Sequence, residues 1–149
     1  MKEIKDLKRY EILDSDSGVY FLYQGDEIVY VGQAMSVYSR VGVHKKTGEI
    51  AFDSFSFISL DIEEADAVES RYILELQPKH NSTVPLYVNI TSLRNRVKAI
   101  LGRNISMREF RKAILDLNVE SHYFKGYQVY FKYADEEIAD YLECINKAD

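Results

Sequence analysis

The chain has 149 residues and 46% of them are apolar, which is enough for one good hydrophobic core or two very small ones. No stretch approaches the roughly 18 consecutive apolar residues of a membrane span. The opening residues are too charged for a signal peptide, so we expect no membrane partner and a cytoplasmic location. The only cysteine, Cys144, excludes an internal disulfide and a multi-cysteine zinc site, and its apolar neighbours favour packing in the core.

The net charge of −5, taken alone, argues against a nucleic-acid-binding protein. The distribution of the charge argues otherwise. Residues 1–81 carry 9 basic and 15 acidic side chains, residues 82–132 carry 9 basic and 3 acidic ones, and residues 133–149 carry 1 basic and 6 acidic ones. Any contacts with a phosphate backbone are therefore expected in the middle block.

The clearest break in the sequence pattern lies at residues 81–85, Asn-Ser-Thr-Val-Pro, which are rich in turn formers and include one of the two prolines. This break predicts two small modules, residues 1–85 and residues 86–149. Both modules are expected to contain strands and helices, which places the chain in the α/β class in its mixed, α+β form.

The first module is predicted to combine three strands with two helices. Segments rich in β-branched and aromatic residues predict strands at 18–23, 28–32 and 54–60. A turn at 24–26 joins the first two strands as a hairpin. Helical spacing of apolar residues predicts helices at 36–46 and 63–76, the second of them stopped by Pro78.

The second module is predicted to be mainly helical. Its first helix has Thr91 or Ser92 as the N-cap and ends at Gly102. The elements that follow are a helix that begins with a capping box at 106–109, a β-hairpin at 123–131 and an acidic helix at 135–145. This order of helix, helix, hairpin and helix resembles a small winged-helix or excisionase-like DNA-binding module.

One carboxylate of the helix at 63–76 has an unusual position. At about 100° per residue, the apolar residues of this helix form one stripe, and Glu69 falls inside it. Burying a carboxylate among apolar side chains costs several kcal/mol unless a cation or hydrogen bonds compensate. The compensating group is either a bound divalent metal ion or a buried salt bridge to Arg40 or Arg71, and the spacing does not choose between them.

Two polar residues flank the apolar side of the helix at 36–46. Arg40 and His44 are four residues apart and therefore lie on one helical face. Val37 and Val41 lie beside them and point inward. The two polar side chains can therefore point together into a cleft.

The register of the first hairpin decides whether Tyr20 and Tyr30 share a site. A three-residue loop at 24–26 would place the two tyrosines directly opposite each other, on one face of the sheet. A two-residue loop would pair Tyr20 with Val31 and send the two phenols to opposite faces. A shared site therefore predicts an odd-length loop or a compensating bulge.

Two tyrosine motifs and four polar residues follow one another in a recognisable order. Gly18-Val19-Tyr20 and Tyr30-Val31-Gly32 precede Arg40, His44, Glu69 and Asn81. In residue type, order and approximate spacing, residues 17–81 resemble the GIY-YIG nuclease family, with Val replacing Ile in both motifs. The resemblance implies a compact fold with a central three-stranded antiparallel sheet flanked by helices. It also implies hydrolysis of DNA with one divalent metal ion, usually Mg²⁺, for which Mn²⁺ can substitute.

The resemblance implies how water would be activated. Glu69 would be the sole protein ligand of the metal ion, which suits a hard cation otherwise bound by water and phosphate oxygens. Tyr20 would accept the proton of the attacking water with help from His44, which requires nearby positive charge to favour the phenolate. Whether the tyrosine or the histidine takes that proton directly is left open by the resemblance.

Three further residues complete the implied site. Arg40 would donate to the phosphoryl oxygens as negative charge builds in the transition state. Tyr30 would orient water or phosphate. Asn81 would hydrogen-bond near the site and fix the local backbone.

The second module would supply the affinity for DNA that the acidic first module lacks. Seven basic residues lie on or between its first two helices: Arg94, Arg96, Lys98, Arg103, Arg108, Arg111 and Lys112. The leading hypothesis is a DNA endonuclease similar to the small stand-alone nucleases of phage and bacteria, acting in a prokaryotic or phage-infected cell. The alternatives are a structure-specific repair or recombination nuclease and a non-catalytic DNA-binding protein that keeps the fold as a scaffold.

Overall fold

The computed structural model describes residues 8, 9, 11, 15–125 and 128–148. These residues form five helices and two three-stranded antiparallel sheets, which confirms the predicted α+β class. In chain order the elements are β1 Gly18–Gln24, β2 Glu27–Ala34, α1 Val37–Thr47, β3 Ser54–Ser59, α2 Ile62–Leu76, β4 Tyr87–Asn89, α3 Ile90–Leu101, α4 Met107–Asp116, β5 Ser121–Phe124, β6 Gln128–Lys132 and α5 Asp135–Ala148. Residues 126 and 127 of the predicted second hairpin lie outside the described residues.

β1 is the central strand of the first sheet, whose strand order is β2-β1-β3. Successive side chains of a strand point to opposite faces, so the two faces of β1 pack against different helices. Val19 and Phe21 join a core cluster with residues of α2, whereas Tyr20 and Leu22 join a cluster with residues of α1. Both faces of the sheet are therefore covered, and β2 remains at one edge.

A bulge in β2 sets the register of the first hairpin. The turn between β1 and β2 is only two residues long, at 25 and 26, so of the two alternatives the three-residue loop is not formed. Val29 is an extra residue in β2, because Leu22 pairs with Tyr30 rather than with Val29. This shift by one residue is the compensating bulge that a shared tyrosine site requires, and it places Tyr20 opposite Gly32.

The second sheet contains a strand that the sequence did not predict. β4 is only three residues long and pairs with β6, which gives the strand order β4-β6-β5 instead of an isolated hairpin. Asn89, the last residue of β4, is also the N-cap of α3, where its side chain accepts a hydrogen bond from the Ser92 backbone N–H at 2.9 Å. The expectation that Thr91 or Ser92 is the cap is therefore wrong, because both residues already lie in the first helical turn.

The cores of the two sequence modules are not separate. Phe124 and Tyr130 from the second sheet are buried in one cluster with Val31 of β2 and Ile73 of α2. A second cluster lies between α3, α4 and α5. Part of the 86–149 segment therefore completes the core of the first sheet.

The final helix packs through its first two turns. Ile138, Ala139 and Leu142 are buried in the helical cluster, but Cys144 is exposed, so its expected packing in the core is wrong. Cys144 lies two residues after Leu142, a rotation of about 200° around the helix, so its side chain points away from the buried stripe. Among the described helices, none combines the length and the apolar content needed to cross a lipid bilayer.

Candidate active site

The two tyrosines of the sequence motifs lie together over a glycine. Their ring centroids are 6.0 Å apart, and Tyr20 is only 1% exposed. A Cβ atom at Gly32 would lie 2.5 Å from the Tyr20 hydroxyl oxygen and 2.7 Å from a ring carbon of Tyr30. Any side chain at this position would therefore displace the phenols, so the glycine of the second motif makes the room in which they meet.

The glycine of the first motif has a different task. Gly18 has a φ of 156°, and a Cβ atom there would lie 1.9 Å from the carbonyl oxygen of Ile58 in β3. Only glycine lets the backbones of β1 and β3 approach this closely. Gly18 therefore fixes the start of the strand that carries Tyr20.

α1 brings His44 against the two phenols. The Nε2 atom of His44 lies 2.8 Å from the Tyr20 hydroxyl oxygen, and its ring centroid is 5.2 Å from that of Tyr30. The start of the helix is held by Asp16, which accepts hydrogen bonds from the Val37 backbone N–H and from the Ser36 hydroxyl. The direction of α1, and with it the position of His44 two turns later, is thereby fixed.

Arg40 lies one turn before His44 and faces solvent. It is close enough for its charge to lower the pKa of His44, and it also opposes the rise in the pKa of Tyr20 and Tyr30. Arg40 makes no ion pair with any residue in the part of the chain that the structure describes. Its guanidinium group is therefore available to an anion from solution.

Glu69 is a buried carboxylate without a cationic partner among the described residues. It is 8% exposed, and burial, together with the negative charge of Asp66, raises its pKa to about 7 despite a hydrogen bond from Gln33. No Arg, Lys or His among the described residues forms a salt bridge with it. Arg71, one of the two expected partners, instead lies over the Tyr72 ring at 4.8 Å. Of the two compensating groups that the sequence allowed, the salt bridge is not formed within the described residues.

Glu69 lies within electrostatic range of the phenols, although α2 and α1 cover opposite faces of the sheet. Its charge contributes to the raised pKa of both Tyr20 and Tyr30. Two strands and two helices thus converge near the edge strand β2 to bring five side chains of the sequence pattern together: Tyr20, Tyr30, Arg40, His44 and Glu69.

Asn81, the sixth residue of the pattern, binds backbone. Its side-chain oxygen accepts a hydrogen bond from the Val31 N–H at 2.9 Å, and its side-chain nitrogen donates to the Val31 carbonyl at 2.8 Å. The amide therefore makes the two backbone hydrogen bonds that a neighbouring strand would make at the open edge of β2. Asn81 holds the Tyr30-Val31-Gly32 motif in place from outside the sheet.

Burial is the main influence on the protonation states of Tyr20 and His44. Burial raises the pKa of Tyr20, and the charge of Arg40 only partly offsets this effect, so the phenol is held neutral. Burial and the nearby Arg40 lower the pKa of His44, so its imidazole is neutral near pH 7. The positive charge that a Tyr20 phenolate requires is outweighed by burial in the metal-free protein, and the neutral imidazole is the stronger proton acceptor of the pair.

Three of the seven basic residues expected to bind DNA form ion pairs within the protein. Arg96 pairs with Asp135 at 2.5 Å, Arg103 pairs with Glu109 at 2.9 Å, and Lys112 pairs with Asp116 at 2.8 Å. Arg96 also lies over the Tyr133 ring at 4.3 Å. The positive charge of these three side chains is partly compensated before any ligand binds.

The other four basic residues have no ion-pair partner in the described chain: Arg94, Lys98, Arg108 and Arg111. Arg108 and Arg111 are exposed and three residues apart on α4, so they share one face of that helix. The Nε atom of Arg94 is buried without a hydrogen-bond partner among the described residues. Among these seven residues, the positive charge without an ion-pair partner in the described chain thus lies on α3 and α4.

Sequence reasoning missed two residues beside Glu69. Gln33 donates a side-chain hydrogen bond to the Asp66 carboxylate, and it lies close enough to Glu69 to lower the pKa of that carboxyl group against the effect of burial. The sequence pattern of β2 could have indicated Gln33, because side chains alternate along a strand and Gln33 therefore lies on the same face as the buried Val31. A polar residue on a buried face requires a polar partner.

Searches against protein-family models, curated proteins and solved structures give no match to this chain. The assignment of a function therefore depends on the six residues of the sequence pattern and on the geometry described above.

Proposed function

We propose that this protein is a metal-dependent DNA endonuclease of the GIY-YIG type that hydrolyses phosphodiester bonds. The observation that carries the proposal is the convergence of two phenols, an imidazole, a guanidinium and a buried carboxylate from four separate elements at one sheet edge. A base, a cation for phosphoryl charge and a metal-binding carboxylate are the groups that phosphodiester hydrolysis needs. A cytoplasmic location belongs to the same proposal.

Glu69 is the residue that would hold the metal ion. It is buried and has no cationic partner among the described residues, so a divalent cation would supply the charge that this carboxylate lacks. Its raised pKa in the metal-free protein reflects the same uncompensated burial. The described residues contain no group of three or more His, Cys, Asp or Glu side chains that could hold a metal ion. The other ligands would then be water and phosphate oxygens, which Mg²⁺ accepts and for which Mn²⁺ can substitute. When bound, the ion supplies positive charge to the phosphate oxygens.

Tyr20 and His44 provide a path for the proton of the attacking water. As the water oxygen bonds to phosphorus, its proton passes to the Tyr20 hydroxyl oxygen while the Tyr20 proton passes to His44 Nε2 over the 2.8 Å hydrogen bond. The phenol stays neutral throughout, in agreement with its raised pKa, and the imidazole becomes imidazolium. The bond from phosphorus to the leaving oxygen breaks, and that oxygen takes a proton from solvent.

Arg40 stabilises the charge that develops on the phosphoryl group. Its unpaired and solvent-facing guanidinium can donate two parallel hydrogen bonds to phosphate oxygens. Tyr30, beside both Tyr20 and His44, orients the water or the phosphate. Asn81 acts indirectly by fixing the strand that carries Tyr30.

DNA is the proposed partner, held through the phosphate backbone by the second module. Phosphate contacts need cations that are not already ion-paired. Lys98 on α3 and Arg108 and Arg111 on α4 have no ion-pair partner in the described chain, and Arg94 on α3 has none either. The ion-paired Arg96, Arg103 and Lys112 contribute less.

Cleavage of supercoiled plasmid DNA tests the function. The intact chain with Mg²⁺ should relax or linearise the plasmid, and EDTA should abolish the reaction. Glu69→Ala should lose cleavage, whereas Glu75→Ala, which removes an exposed glutamate from the same helix, should retain it. Cleavage by the Glu69→Ala variant would refute the metal-ligand assignment. Binding without cleavage of linear, nicked and branched DNA by the intact chain would favour the non-catalytic scaffold, and cleavage of branched DNA alone would favour the structure-specific nuclease.

A further inference from the structure

Gln33 lies where a side chain of β2 faces α2. It follows the second tyrosine motif directly and pairs with Val19, whose side chain is buried against the same helix. An amide at this position loses water on one side, so its hydrogen atoms need acceptors within the protein.

α2 presents two carboxylates to that amide. Asp66 and Glu69 are three residues apart and therefore project from one helical face. The Nε2 atom of Gln33 donates to Oδ1 of Asp66, and the side chain lies close enough to Glu69 to lower the pKa of its carboxyl group against the effect of burial. A side-chain amide nitrogen carries two hydrogens, so one Gln33 side chain can serve both carboxylates.

The neutrality of the bridging group distinguishes it from the salt bridge that the sequence also allowed. An Arg or Lys in this position would neutralise Glu69 and compete with a divalent cation for it. An amide orients the carboxylate through a hydrogen bond and leaves its charge uncompensated. Residues that orient a ligand in this way set metal affinity without touching the metal.

We propose that Gln33 is a positioning residue that orients the Glu69 carboxylate for a divalent cation, and that the hydrogen bond to Asp66 fixes the amide itself. The proposal deepens the proposed function and rests on it, because it concerns the same metal site. It assigns a role to a residue that lies just outside the tyrosine motif.

Mn²⁺ binding to the intact chain, followed by the electron paramagnetic resonance signal of free Mn²⁺, tests this role without DNA. Gln33→Met keeps the length of the side chain and removes the amide, so it should weaken Mn²⁺ binding by about 10- to 100-fold. Gln33→Asn keeps an amide but is one methylene shorter, so it should also bind more weakly. Gln24→Met, which removes the surface hydrogen bond from Lys79 at 3.0 Å, should bind as the wild type does.

The role of Asp66 is tested by coupling. Asp66→Ala should weaken Mn²⁺ binding in the wild-type background and have a smaller effect in the Gln33→Met background, because the amide through which it acts is already absent. An equal effect in both backgrounds would overturn the bridge.

Two outcomes separate this proposal from the proposed function. If Glu69→Ala binds Mn²⁺ as tightly as the wild type, the metal site itself is refuted. If Glu69→Ala abolishes binding while Gln33→Met keeps wild-type affinity, the nuclease proposal stands and the positioning role is overturned. A Gln33→Met variant that only unfolds at a lower temperature, with unchanged Mn²⁺ affinity, would show that the amide merely ties β2 to α2.

Discussion

The metal-free protein should be destabilised by its own Glu69 carboxylate at high pH. Folding raises the pKa of this group from 4.5 to about 7. Below pH 4.5 the carboxyl is protonated in both the folded and the unfolded state, so it causes no penalty. Between pH 4.5 and 7 the unfolded state ionises first, and above pH 7 the full penalty is present. Each tenfold change in proton affinity is worth about 1.4 kcal/mol, so the penalty approaches about 3 kcal/mol.

Glu69→Gln isolates this penalty, because glutamine has nearly the same shape and never ionises. Urea unfolding of both proteins in EDTA, at about pH 4 and pH 8, gives the difference in unfolding free energy at each pH. Relative to the wild type, the variant should be about 3 kcal/mol more stable at pH 8 than at pH 4. Comparing two pH values removes any constant effect of packing. The exposed Glu75→Gln control should change by no more than about 0.5 kcal/mol.

Adding Mg²⁺ at pH 8 should then offset most of this penalty in the wild type. Binding to the folded state alone stabilises by about 2.7 kcal/mol at a hundredfold excess over the dissociation constant. Wild type should gain this stability and Glu69→Gln should not. A difference between the two proteins that stays constant from pH 4 to pH 8 would refute the reasoning, because Glu69 would then be solvated or already paired in the folded protein.

Three other changes follow from the geometry. Gly32→Ala should lower the free energy of unfolding by about 1 to 3 kcal/mol, measured by urea unfolding, because its Cβ atom overlaps the two phenols; an unchanged stability would contradict the packing described. Asn81→Ala should lower the free energy of unfolding by about 1 to 3 kcal/mol for each backbone group of Val31 that it leaves unpaired. Amide hydrogen exchange of β2 should become faster. Unchanged exchange would contradict the role of Asn81 at the edge of the sheet. Arg108→Ala and Arg111→Ala should each weaken DNA binding and reduce its salt slope by about 1, whereas the ion-paired Arg103→Ala should change both less. Equal effects of all three arginine variants would refute the distinction between free and paired charges.

Helical periodicity predicted the candidate site better than strand patterns did. The stripe of α2 placed Glu69 inward from the sequence alone, because an angle of about 100° per residue is nearly constant along a helix. The same rule put Arg40 and His44 on one face of α1. In a strand the corresponding prediction depends on the register, and one inserted residue reverses it. The bulge at Val29 is such an insertion, and the sequence offered it only as one of two alternatives.

Features that depend on tertiary contacts could not be predicted. β4 is three residues long and exists because β6 pairs with it, which a local pattern does not reveal. The implied role of Tyr20 requires nearby positive charge to favour its phenolate, but burial outweighs the charge of Arg40, and the extent of burial is known only once the strands pack. The contact between Gln33 and the carboxylates of α2 could not be predicted, because it depends on which helix covers this face of β2.

The shared core decides how the DNA-binding role of the second module can be tested. The simplest experiment to separate DNA binding from catalysis is to remove residues 86–149, which contain the charged helices α3 and α4. The same deletion removes Phe124 and Tyr130, which are buried against Val31 and Ile73. Losing a buried aromatic side chain costs about 3 to 5 kcal/mol, a large part of the stability of a small domain. Because Val31 lies between Tyr30 and Gly32, the deletion would disturb the phenols as well, so substitutions on the surface of α4 are the informative experiment.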